Sequence, residues 1–152
     1  MAIIGDPQNY SKKFKYGVEI DGFVRARFKT CSALEAEAAV VEQWEGGDIT
    51  PDKSLGRVTV SDLTLERGEC GDLDAWNWFK TAVNMAAGKG AATPAVRRNV
   101  AIVQYELDDT ERKRWNVFEA LPRKFIAGDW ADADENVIET LVLAFRYFDL
   151  VV

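Results

Sequence analysis

Apolar and polar residues alternate with a period of two over most of the chain, the signature of strands with one buried and one wet face. Phe14, Tyr16, Val18 and Ile20 stand against Lys13, Lys15, Glu19 and Asp21. Asp21-Gly22 then supplies a hairpin turn, because a tight primed turn needs positive φ, which Asp tolerates and Gly prefers. The return strand, 23–30, sets Val24, Ala26 and Phe28 against Arg25, Arg27 and Lys29. In 31–45 the alanines and Leu34 favour a helix by propensity alone, while Val40, Val41, Trp44 and the closing Gly46-Gly47 favour a strand; a strand over 35–45 is the reading adopted. Residues 46–56, with their glycines, Pro51, two aspartates and a serine, predict a long loop of the functional or mobile kind. Val58 and Val60 share one parity and Leu63 and Leu65 the other, so the chain should bulge or bend at Ser61-Asp62.

The period changes once. After the Gly68–Gly71 break, Asp72 is placed to cap a helix and Asp74 sits in its first turn. Leu73, Trp76, Phe79, Val83 and Ala87 recur at helical spacing, and Gly88 and Gly90 close the element. That stripe sends Trp76 inward and leaves Trp78 and Met85 for another chain. Strand patterning resumes at Arg97-Arg98-Asn99 and runs to Leu107 with both faces largely apolar, as in a doubly covered strand. A charged turn, 108–114, leads to a strand over 115–125 interrupted at Pro122, which cannot donate to a ladder. A polar connection, 128–136, precedes the last element, 137–152. There Leu141, Leu143, Phe145 and Tyr147 share one parity and Ile138, Val142, Ala144 and Phe148 the other. Two apolar faces exceed what one small core needs, so one is available to a neighbouring subunit.

Composition narrows the function. The 152 residues, 47% hydrophobic and 29% charged, fit one soluble domain, 1–152, with an extended arm over 1–12. No apolar run is long enough for a membrane helix, and the N-terminus lacks the plan of a signal peptide, so synthesis in a cytoplasm and no membrane insertion are expected. The net charge of −6 opposes a grip on nucleic acid. The absence of histidine removes Ser-His and Cys-His nucleophiles and histidine metal ligands. Cys31 and Cys70 form no CxxC and read as buried thiols.

Candidate chemistry is sparse. Asp72 with Asp74 and Asp108 with Asp109 are explained by a helix cap and a solvated turn. Asp129, Asp132, Asp134 and Glu135 lack the spacing of a calcium loop. Gly88-Lys89-Gly90 lacks the frame of a phosphate loop. No catalytic, metal or cofactor site is expected, and the chain is not expected to be an enzyme.

The order Ile20-Asp21-Gly22-Phe23, Cys31-Ser32-Ala33-Leu34, Glu45-Gly46-Gly47, Leu63-Thr64-Leu65-Glu66-Arg67-Gly68, Trp76-Asn77-Trp78, Arg97-Arg98-Asn99-Val100 and Glu139-Thr140-Leu141-Val142-Leu143-Ala144 resembles the tail tube proteins of contractile phages. It equally resembles the inner tube proteins of phage-tail-like contractile injection systems. Lys53-Ser54-Leu55-Gly56 departs from the family's usual Leu-Pro-Gly, Asp108-Asp109-Thr110-Glu111 lacks its turn glycine, and Leu121-Pro122 replaces a Trp-Pro pair. The resemblance implies a mainly β fold, a β-barrel or β-sandwich with one flanking α-helix. It implies hexameric rings stacked into a tube that passes DNA or protein cargo, with sheath, baseplate (tube-initiator) and terminator proteins as partners, assembled in a phage tail or injection particle. Contacts between subunits or rings are expected at Gly46, Gly47, Asp48, Leu55, Trp78, Arg97, Arg98, Leu143 and Phe145. Residues 46–56 and the arm would touch the adjacent ring; the last strand and first hairpin would form the subunit seam. A small-ligand-binding β-barrel, with Trp76 or Trp115 open to a pocket, is the alternative.

Overall fold

A computed structural model describes residues 10–21, 23, 27–69, 71–86, 88–90 and 96–151. Along the chain come β1 (Tyr16–Ile20), β2 (Thr30–Cys31), β3 (Ala36–Gln43), β4 (Asp52–Val60), β5 (Leu63–Gly68) and α1 (Asp74–Ala82). There follow β6 (Val83–Asn84), β7 (Lys89–Gly90), β8 (Arg98–Tyr105), β9 (Glu111–Ile126), β10 (Ile138–Ala144) and β11 (Tyr147–Val151). The arm expected over 1–12 lies almost wholly outside the described residues, as do Gly22, Val24, Arg25, Ala26 and Cys70.

β9 organises the main sheet, whose order is β1-β8-β9-β10-β5-β2 with β11 also on β9. All its pairings are antiparallel. The first part of β9 pairs with β8 and β11, the second with β10. Between Val117 and Ala120 the β8 ladder slips register, and Glu119 takes φ 55°. A non-glycine residue in the left-handed region marks a sharp bend. The facing chain breaks at the same level, where Arg146 donates its backbone N–H to Phe118 O at 3.1 Å and its Nη1 to Glu119 Oε2 at 3.3 Å. A second bulge places Pro122 opposite Leu143 and Lys124 opposite Val142, so the extra residue, Arg123, is free to pair with Asp62. Pro122 thus sits where the sequence required it, at an irregularity that needs no N–H.

The bend folds the two parts of the sheet over one core. Val18, Ile20, Val100, Ile102 and Val117 from one side and Leu63, Leu65, Leu141 and Leu143 from the other form a single hydrophobic cluster. Among the described residues the sheet is not closed: it ends in the edges of β1 and β2, so the barrel form of the expected fold is corrected to an open antiparallel sheet with a helix.

Other expectations are corrected by the pairing. β1 takes β8 as its partner, and the expected return strand is described only at Phe23 and 27–30, where Thr30 together with the following Cys31 pairs with β5. Only 46–51 of the predicted loop lies outside strands; 52–56 is strand, because β4 pairs with β3 in a separate two-stranded sheet, and the strand expected to reach residue 45 ends at Gln43. The parity change at Ser61-Asp62 is the bend where the chain leaves that sheet for β5. The last element is two strands, divided at Phe145-Arg146.

The helix is rotated from its predicted face. Ala75, Trp78 and Ala82 are buried, while Leu73 is exposed and Trp76 half-buried against Phe79 and Phe125. Two apolar stripes existed at helical spacing, and the one flanked by small alanines won because it leaves room for an indole. Trp78 Nε1 donates to Val96 O at 2.7 Å, which satisfies the polar atom that burial would otherwise penalise. Asp72 Oδ1 accepts from Asp74 N–H at 3.1 Å, but it stands one residue ahead of the N-cap position, which Leu73 holds.

Trp78→Ala is expected to cost about 3–5 kcal/mol and Leu143→Ala about 2–5 kcal/mol. Met85→Ala, at an exposed position, should stay within about 0.5 kcal/mol. Urea midpoints of the three variants test the helix rotation directly.

Candidate assembly interface

A buried ion pair fixes the side of the core nearest the helix. Arg67 on β5 and Glu139 on β10 stand directly opposite in register, and Arg67 Nε donates to Glu139 Oε2 at 3.1 Å. Both side chains are nearly fully buried, with Asp72 Oδ2 3.9 Å from Arg67 Nη1. The guanidinium carbon lies 5.6 Å from the ring centroids of both Phe23 and Phe28, favourable cation–π geometry. Phe23 in turn meets Trp78 edge-on at 6.0 Å, and Arg98 lies 5.1 Å over the Trp78 ring while donating to Asp21 O at 3.0 Å. This chain of contacts ties the turn after β1 to β5, α1 and β8. Sequence parity carried the signal: Leu63, Leu65 and Arg67 share a face, as do Glu139, Leu141 and Leu143, and opposite charges on two core faces should find each other.

Several residues expected at interfaces are therefore interior. Trp78 and Leu143 have no exposed surface and Phe145 has 9%, so these side chains are packed into the subunit's own core. The core took that parity of β10 because it alone faces Leu63 and Leu65; Ile138, Thr140, Val142 and Ala144 on the opposite face are half-buried. Arg98 is half-buried over Trp78, and Arg97 is exposed.

Gly46, Gly47, Asp48 and Leu55 have a different setting. They belong to the β3–β4 hairpin, which is separate from the main sheet. Gly47 has φ 90°, which the turn requires and a side chain would strain. Val40, Val41, Trp44, Leu55 and Val58 are all exposed, and Ile49 is 94% exposed. Sequence reading placed four contact residues here but missed Trp44 and Ile49. The signal available was two large apolar residues flanking a turn of otherwise polar character.

Hollows flank the main sheet, and two of them bear on the expected tryptophans. One, of about 750 Å³, lies between the β1 and β2 edges over Ile102, Trp115 and Phe148. The other, of about 430 Å³, is lined by Trp76, Phe125, Trp130 and the carboxylates of Glu69, Asp72 and Glu139. Trp115 packs edge-on against Phe148 at 6.0 Å. Cys31 borders the first hollow, and burial pushes its thiol up to about 11. The carboxylate pairs set aside earlier are occupied structurally: Asp108 accepts from Thr110 N–H, which lowers its pKa, and Asp109 pairs with Lys15 at 2.6 Å. Among the described residues no group of three or more His, Cys, Asp or Glu is placed to hold a metal, and no helix is long and apolar enough to cross a membrane.

Among the described residues the protein is a bent antiparallel sheet with one helix and a separate two-stranded hairpin. Its family follows from comparison: the family of the T4-like virus tail tube protein gp19 matches residues 12–149, and the chain belongs to it. It is a structural tube protein, not an enzyme. The fold is similar to that in the anti-feeding prophage tube-terminating cap structure (TM-score 0.80, 18% identity, 99% of each chain). It is also similar to that in the sheath–tube complex of an extracellular contractile injection system, PVC, in the extended state (0.76, 16%, 93% of this chain and 91% of that one). Hcp1 from Flavobacterium johnsoniae is a more distant likeness (0.52, 12%, 90% and 94%). Comparison with curated proteins returned no match.

Glu139→Gln should cost about 3–5 kcal/mol by leaving a buried guanidinium poorly compensated, read as a lowered urea midpoint at unchanged slope. With its thiol held near 11, Cys31 should react slowly with iodoacetamide at pH 7.5 and about tenfold faster per pH unit up to about pH 10. A flat rate between pH 8 and 10 would contradict the burial of the thiol.

Proposed function

We propose that six copies of this chain close into a ring and that rings stack into a rigid tube inside a contractile sheath. A baseplate initiates that tube and a terminator caps it. The observation that carries the reading is the β3–β4 hairpin. An isolated two-stranded hairpin is marginal in water, and this one exposes apolar side chains along both strands. Its outer edges are open to strand addition from a second copy. A contact between unlike surfaces closes into a ring when its rotation allows and otherwise propagates as a filament, so one chain can supply both ring and stack.

Charge fits a conduit. Residues 35–60 carry six carboxylates against Lys53 and Arg57, the larger part of the net −6. A ring of six would carry about −36, repelling DNA or an acidic protein cargo instead of adsorbing it. The family supports a place in a phage tail or a contractile injection particle, and the likenesses to cap and sheath–tube proteins favour partners of those kinds.

The ligand-binding alternative has Trp115 beside the larger hollow in its favour, but it gives the bare hairpin no role. Negative-stain microscopy of the purified protein separates the two: rings or tubes are expected, and a monodisperse monomer at high concentration would sink the tube reading. Trp44→Ser with Ile49→Ser should leave the melting temperature within about 2 °C, since both side chains are exposed, yet reduce polymer at least tenfold in sedimentation.

A further inference from the structure

We propose that the tip of the β3–β4 hairpin of one copy seats in the lysine-rimmed cleft between β1 and β2 of another. The proposal rests on the tube reading and names the surface on which the hairpin lands.

The two surfaces are complementary in charge and in apolar content. The cleft, about 750 Å³, has a floor of Ile102, Trp115 and Phe148, and Lys12, Lys13, Lys15 and Lys29 at its rim. No carboxylate is among its described lining residues. Lys15 is paired with Asp109, whereas Lys12, Lys13 and Lys29 make no salt bridge among the described residues. At the tip, Glu42, Glu45, Asp48 and Asp52 stand within eleven residues that contain no cation, and none of the four is in a described salt bridge. Between these carboxylates Trp44 and Ile49 are exposed. An apolar anchor inside an acidic collar matches an apolar floor inside a basic rim, the arrangement that combines burial with electrostatic steering.

A hairpin tip in this cleft comes from a second copy. Ser32, Ala33 and Leu34 line the cleft and β3 starts at Ala36, so the hairpin departs from the edge of its own cleft. Eight residues of strand rise about 3.3 Å each, which carries the tip roughly 25 Å away from that edge. Donor and acceptor on one chain that cannot meet each other make a head-to-tail contact, and repetition of such a contact builds a filament.

Charge reversal tests the contact. Lys13→Glu with Lys29→Glu, and separately Glu45→Lys with Asp48→Lys, should each keep the wild-type melting temperature and lower the polymer fraction at least tenfold in 0.15 M salt. The two pairs combined should recover it to within twofold. Wild-type assembly by either single-side variant, or no recovery in the combination, overturns the contact while leaving the tube reading intact. A second readout uses the native thiol. In a Cys70→Ser background, Ile49→Cys should cross-link to Cys31 through a short bis-methanethiosulfonate, giving a ladder of linked chains that Cys31→Ser abolishes. No ladder, with Cys31 linking instead to Ile4→Cys of its own chain, assigns the cleft to the N-terminal segment and overturns the proposal. Wild-type protein that forms neither rings nor tubes removes the tube reading and this contact with it.

Discussion

Every strand edge carries backbone N–H and C=O groups that must be bonded to something, and every apolar face must be covered or remain a liability. Most of this chain meets that constraint internally. β9 serves both parts of the sheet because it bends at Glu119, and the facing chain breaks at Arg146 so that two strands can follow one bent partner. The result is one core from two sheet faces, with Trp78 inserted from the helix side. The hairpin of β3 and β4 does not meet the constraint. Among the described residues its strands bond to each other and to no further strand, and Val40, Val41, Leu55 and Val58 are exposed while Val60 packs against the core.

This division separates folding from assembly. Leu141, Leu143, Arg67, Glu139 and Trp78 make the subunit, and changing them changes whether the chain folds. Trp44, Ile49, Leu55 and the carboxylates around the turn contribute little to that core and are free to meet other chains. Burying the Arg67–Glu139 pair is not a cheap source of stability, since desolvation offsets much of the Coulomb gain. What the pair supplies is register: a slip of β10 on β5 would strand both charges in the core.

Much of the fold was legible because period two is a strong signal wherever one face is wet. β8, β10, the β4-to-β5 bend and the irregularity at Pro122 all follow from parity or from the missing proline N–H. Legibility failed where two patterns were equally good. α1 offered two stripes, and only the packing space beside Ala75 and Ala82 chose Trp78 over Trp76. β10 had two apolar faces, and only pairing to β5 chose the face of Leu143. Partner choice was also hidden, since alternation says that β1 is a strand without saying that β8, eighty residues away, is beside it. At the interface, the turn at Gly46-Gly47 was readable from its glycines. The strand at 52–56 was not, because its residues carry little apolar signal and are ordered by β3 alone.

The central claim is that the hairpin is poorly stabilised in the subunit and ordered by contact with other copies. Hydrogen exchange of its backbone amides, compared between dispersed subunits and assembled polymer, tests this most directly. The account predicts fast exchange over β3 and β4 in the dispersed state, slow exchange in the polymer, and slow exchange for β8, β9 and β10 in both. Equal, strong protection of the hairpin in dispersed subunits would contradict it.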